Sequence, residues 1–185
     1  VESGGAFTHN SGTIMLNGES NQTLTAAQTF NNLTLNDGLV GYWNFDETAG
    51  TSAADSSGYA NTGTHTNTPT ISTDVPTVNF TNSRSLDFNG TTQYVDLGTR
   101  PFINTEFTDK ITLSAWIKPT ALTGSHTILG KSVDTNHSNP FYEWNLFQTG
   151  SQVCFRVDVT NVCSATSTVT TSWQLITGVY DGANM

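Results

Sequence analysis

The 185-residue sequence predicts an all-β protein, a sandwich of two antiparallel sheets, and three observations carry that prediction. Short runs rich in Thr, Val, Ile and aromatics are separated by turn dipeptides that contain Gly. Ser, Thr and Asn together make up roughly 37% of the chain; their side chains compete with helical hydrogen bonds, and Thr suits a half-buried strand. Within the longer runs apolar residues recur at every second position, the period of a strand with one face buried.

The strand candidates, in order, are Thr13–Leu16, Thr29–Leu35, Leu39–Phe45, Ser85–Phe88, Tyr94–Leu97, Ile111–Lys118, Thr127–Gly130, Glu143–Gln148, Gln152–Val159 and Trp173–Tyr180. Asn17-Gly18, Asp37-Gly38, Ser57-Gly58, Asn89-Gly90 and Asp181-Gly182 supply the positive φ that tight turns between them require. In Ile111–Lys118 the residues Leu113, Ala115 and Ile117 form an apolar face, and Ser114, Trp116 and Lys118 form the other, so Trp116 belongs to the rim or second face. In Trp173–Tyr180 the residues Trp173, Leu175 and Val179 share a face. The expected core is Trp43, Phe45, Leu86, Phe88, Leu113, Ile117 and Leu175.

Charge excludes several functions. With 6 Lys+Arg against 15 Asp+Glu the net charge is -9, and the scattered cations form no stripe that could follow a phosphate backbone, so nucleic acid is not an expected partner. No apolar run approaches the roughly 18 residues of a membrane-spanning helix, and membrane insertion is not expected either. Residues 1–36 carry little charge and no Trp or Cys, and read as the end of a Thr/Asn-rich β-repeat or a linker; residues 37–185 form the main domain. The last strand-like run stops near Met185 with no returning strand, which reads as a domain incomplete at its C-terminus and covalently part of a larger multidomain chain.

A family resemblance enters at Gly38. The run Gly38-Leu39-Val40-Gly41-Tyr42-Trp43-Asn44-Phe45-Asp46-Glu47, then Gly50, Asp55-Ser56-Ser57-Gly58 and Asn61-Thr62-Gly63, resembles the opening of LamG-like jelly-roll domains, the laminin G and pentraxin-like branch of the concanavalin A-like lectin/glucanase fold. Ser85-Leu86-Asp87-Phe88-Asn89-Gly90 with Gln93-Tyr94-Val95, Phe107-Thr108 with Ile111–Pro119, Thr127–Lys131 and Trp173–Gly182 continue the likeness in family order. The first 36 residues are similar to the β-repeats of large bacterial surface proteins. The resemblance implies a jelly roll in an extracellular or cell-surface, bacterial setting, acting as a non-catalytic module that recognises carbohydrate or matrix in adhesion. A spacer domain of an adhesin stalk, with no ligand of its own, is the alternative.

The fold also hosts glycoside hydrolases, which place paired carboxylates on alternate positions of one strand. Glu2, Glu19, Glu47, Glu106 and Glu143 are each isolated, and Asp46-Glu47 would point to opposite faces of a strand, so a hydrolase is not expected. His9, His65, His126 and His137 lie far apart in polar loops and read as surface residues. Calcium is the expected cofactor, in a structural role: Asp55, Ser57, Asn61 and Gly63 offer a carboxylate, a hydroxyl, an amide and a carbonyl in one short loop, and relatives hold calcium near such a loop. Without metal the same residues make side-chain to backbone turns. The aromatic run Phe141–Phe147 offers Tyr142, Trp144 and Asn145 to a sugar, although aromatics in a sandwich more often pack in the core. A tight turn at Asp158-Val159 would bring Cys154 and Cys163 into cross-strand contact as a disulfide, suited to an oxidising exterior; a turn at Thr160-Asn161 would separate them.

Overall fold

The computed structural model describes residues 38–98, 110–132 and 142–185, together with the backbone of 14–16 and 33–35. Most of the expected upstream repeat and Phe107-Thr108 therefore lie outside the described residues, which contain strands, turns and no helix. Two short strands, β1 (Ile14–Leu16) and β2 (Leu33–Leu35), pair in parallel. Next come β3 (Ser52–Ala53), β4 (Gly63–Thr66), β5 (Thr70–Ser72), β6 (Ser85–Asp87) and β7 (Tyr94–Asp96). They build a three-stranded sheet in the order β3-β4-β7 and a β5-β6 pair, both antiparallel.

The principal layers come from the second half of the chain. Strands β9 (Ser125–Ser132), β10 (Tyr142–Thr149), β11 (Gln152–Val157) and β12 (Thr160–Cys163) form a four-stranded antiparallel sheet in the order β12-β11-β10-β9. Strands β8 (Ile111–Ile117) and β13 (Gln174–Tyr180) pair antiparallel in a second sheet. Leu113 of β8 and Ile176 of β13 meet Trp144, Leu146 and Phe155 of the four-stranded sheet, and these five buried residues are the core. Gly38, Gly58, Gly90 and Gly182 all have positive φ, as their turn dipeptides predict.

Several expectations need correction. Leu39–Phe45 forms no continuous strand, only an isolated bridge from Trp43 to Asp55. The Gln152–Val159 candidate breaks at Asp158, whose φ of 51° opens a two-residue turn and sends the chain back as β12. Of the seven expected core residues only Leu113 is fully buried; Trp43, Phe45, Leu86 and Ile117 are half-buried, and Phe88 and Leu175 are exposed. His65 sits inward on β4 and is buried, and its backbone N–H donates to the Thr51 carbonyl at 2.7 Å. His126 is exposed on β9, while His9 and His137 lie outside the described residues.

The phase of β13 is the instructive error. Ile176 and Gly178 face inward, while Leu175, Thr177 and Val179 face out. The cause is a close approach: a β-carbon on Gly178 would fall 2.7 Å from Cγ of Phe155, so the Phe155 ring lies against bare β13 backbone. An interior glycine in a strand marks such contacts. Replacing Gly178 with Val is expected to cost about 1–3 kcal/mol by overpacking, despite the better strand propensity of Val. A lower urea midpoint with an unchanged slope is the expected readout.

Candidate functional site

The expected calcium loop closes on the Asp55 carboxylate. Oδ1 accepts the backbone N–H groups of Tyr42 (2.9 Å) and Ser57 (2.8 Å). Oδ2 accepts the Ser57 hydroxyl (2.8 Å) and the Asn61 backbone N–H (2.8 Å). Burial raises the Asp55 pKa, but these bonds together outweigh it and hold the group below its ordinary value of 3.8. Asn61 is fully buried: its amide donates to the Val40 carbonyl at 2.7 Å, and its own carbonyl accepts the Trp43 indole N–H at 2.9 Å. The Trp43 ring covers Gly41, where any β-carbon would clash with it. Gly63 begins β4 and pairs with Ala53.

Asp55, Ser57 and Asn61 therefore come together, but as a hydrogen-bonded lock. Each carboxylate oxygen already has two donors, whose hydrogens occupy the space a cation would need, and the Asn61 carbonyl is engaged by Trp43. The donor set does not fit a calcium ion, which takes six to eight oxygens. No cluster of three or more His, Cys, Asp or Glu placed to hold a metal occurs among the described residues.

The aromatic strip on β10 divides between two faces. Trp144 is only 7% exposed and belongs to the core, where it cannot present its ring to a sugar; packing takes precedence at this position. Asn145 points to the opposite face and is 4% exposed. The side chain of Tyr142 lies outside the described residues. Cys154 and Cys163 are direct cross-strand partners and form a disulfide, as the turn at Asp158-Val159 requires.

The exposed aromatic face lies on the other sheet. On the outer side of β8–β13, Leu175 stands opposite Trp116, Thr177 opposite Ser114, and Val179 opposite Thr112. Trp116 is 40% exposed, Leu175 54% and Val179 51%. The Ser114 and Thr177 hydroxyls are hydrogen-bonded at 3.0 Å, leaving a lane of hydroxyls beside the apolar strip. At one end Asp74 accepts the Trp173 indole N–H at 2.8 Å and pairs with Lys118, which fixes the rim. Sequence alternation found the Trp116 side of this face; the inverted phase of β13 concealed Leu175 and Val179.

The carboxylates Asp46 and Glu47 also serve structure. Asp46 accepts the backbone N–H groups of Ser83 (2.7 Å) and Arg84 (3.0 Å), and Glu47 accepts that of Ala54 (2.6 Å).

Comparison with known families agrees with the architecture. A laminin G family model, described as the Concanavalin A-like lectin/glucanases superfamily, matches residues 89–185, just over half of the chain. The chain belongs to this family. No curated protein and no solved structure gives a significant match. Laminin G-like domains are in general carbohydrate- or matrix-binding modules and typically non-catalytic; membership and the disulfide point to an extracellular domain. No helix among the described residues is long and apolar enough to cross a membrane.

The lock makes a pH prediction. Because the Asp55 pKa is lowered on folding, its contribution is fully present above the ordinary value of 3.8 and is lost as pH falls through the folded value. Asp55→Asn is expected to cost about 2–3 kcal/mol at pH 7, since it removes charged acceptors from partly buried donors. The variant should also lose less further stability than wild type between pH 5 and about pH 2. Equal acid losses would contradict the lock, as would a wild-type melting temperature that rises in calcium relative to chelator.

Proposed function

We propose that this domain is a non-catalytic recognition module of a larger bacterial surface or secreted protein, and that it engages a glycan or matrix ligand through the outer face of β8–β13. The observation that carries this reading is the exposure of Trp116 beside Leu175 and Val179, next to the Ser114–Thr177 hydroxyl lane. A sugar ring has an apolar face that stacks on an aromatic and a rim of hydroxyls that bonds to polar neighbours, and this sheet face offers both. The carboxylates Asp46, Glu47 and Asp55 each accept backbone N–H groups, which favours binding over hydrolysis.

A glycan array spanning plant, algal and animal polysaccharides tests the proposal. Wild type is expected to give selective signals, and Trp116→Ala should weaken them at least about tenfold, in keeping with the roughly 1–3 kcal/mol of a buried aromatic contact. Circular dichroism should show an unchanged fold, because Trp116 points away from the core. A flat response from wild type would favour a spacer with no ligand of its own.

A further inference from the structure

The outer face of β8–β13 is uncharged along its length. Trp116, Leu175 and Val179 lie beside Thr112, Ser114 and Thr177, and none of the six carries a charge. At one end Lys118 and Trp173, each one residue beyond the paired segment, converge on a single carboxylate. The Lys118 ammonium pairs with Asp74 Oδ2, and the Trp173 indole N–H donates to Oδ1 at 2.8 Å. Asp74 is also held through its backbone: its carbonyl accepts the Ser85 hydroxyl at 2.7 Å, and its N–H donates to the Ser72 hydroxyl at 3.2 Å. The bond from Lys118, and after it the bond from Trp173, hold the Asp74 carboxyl below its ordinary value of 3.8, so it stays ionised opposite Lys118 at neutral and mildly acidic pH. Both side chains of the pair are open to solvent, 39% exposed for Lys118 and 53% for Asp74.

The hydroxyl lane has a matching bias. The Ser114 and Thr177 hydroxyls bond to each other, and Ser114 Oγ also lies 3.4 Å from the Ile176 carbonyl oxygen. The two hydroxyl hydrogens thus have acceptors within the protein, while each oxygen carries two lone pairs, so the lane presents lone pairs to a ligand. A sugar hydroxyl can donate to them, whereas an ionised carboxylate only accepts. The field of a molecule of net charge -9 also repels polyanions. Two lysines flank the face. Lys110 stands roughly 20 Å along the strand from Trp116, at about 3.4 Å per residue, and Asp181 takes the equivalent place one residue beyond β13. Lys118 stands roughly 7 Å along from Trp116, within reach of a ligand stacked on that ring, and it is the lysine that Asp74 neutralises.

We propose that Asp74 sets the ligand class of this face: by masking Lys118 it restricts the face to uncharged polysaccharides and excludes carboxylated or sulfated ones. An acidic sugar stacked on Trp116 would have to compete with Asp74 for the ammonium, and would do so beside a like charge. The inference rests on the glycan reading of the same face and narrows it to a polymer class and a specificity-determining residue.

A glycan array of paired neutral and acidic polysaccharides, with titration of each hit, tests the assignment on the whole chain. Wild-type signals are expected on neutral polymers. Asp74→Asn keeps an acceptor for the Trp173 N–H but releases Lys118, and should raise affinity for acidic relative to neutral polymers by about threefold at low ionic strength, a gain that shrinks in added salt. Asp74→Ser should act in the same direction, and Asp74→Asn combined with Lys118→Gln should return to the wild-type preference. Circular dichroism would confirm that the variants fold. Wild-type signals as strong on acidic as on neutral polymers, or a preference that moves in neither folded Asp74 variant, would overturn the inference. Should those wild-type signals disappear with Trp116→Ala, the proposed function stands without it. A flat wild-type response would overturn both.

Discussion

The contact between the Phe155 ring and the bare backbone at Gly178 fixes how the two principal sheets face each other. A ring needs depth, and the missing side chain supplies it. Because Gly178 must face Phe155, Ile176 also faces inward and joins Leu113, Trp144 and Leu146 in the core. The strand period of two then sends Leu175, Thr177 and Val179 outward, with no freedom to choose otherwise. The outer apolar strip beside Trp116 is thus a consequence of core packing, so the presented surface and the interior are set by one constraint.

The first part of the domain is organised by hydrogen bonds more than by apolar burial. Asp55 ties Tyr42, Ser57 and Asn61 together, Asn61 ties the Trp43 indole and the Val40 carbonyl to the same point, and Asp46 draws in the Ser83–Arg84 backbone. Carboxylates suit this role because each oxygen can accept two donors, which lets one side chain organise a segment poor in large apolar residues. The residues that looked like calcium ligands are those that make the lock, since both tasks need a carboxylate near amides and hydroxyls. What separates them is whether the neighbours present hydrogens or lone pairs, a difference of backbone orientation that composition does not encode.

Where the sequence alternates strongly the strands were legible: Ile111–Lys118 appears as β8 with Leu113, Ala115 and Ile117 inward, and the Gly-containing dipeptides mark the turns. The β11–β12 hairpin was legible only as a pair of alternatives, because choosing between them required the positive φ of Asp158. Strands β3, β4 and β5 were not anticipated: Ser52-Ala53, Gly63-Thr64-His65-Thr66 and Thr70-Ile71-Ser72 carry little apolar periodicity, and β4 buries a glycine and a histidine. Trp173–Tyr180 misled because its larger side chains lie outward; counting hydrophobic residues favoured Leu175, whereas the interior Gly178 held the correct phase.

Native-state alkylation of single cysteines reports the phase of β13 without an intermediate step. Cysteine placed at Leu175 or at Ile176, in the otherwise disulfide-bonded domain, would be treated with iodoacetamide and followed by mass spectrometry. Rapid labelling is expected at 175, and protection at 176 until the protein is unfolded. Protection at 175 with rapid labelling at 176 would contradict it, and with it the presentation of Leu175 and Val179 beside Trp116.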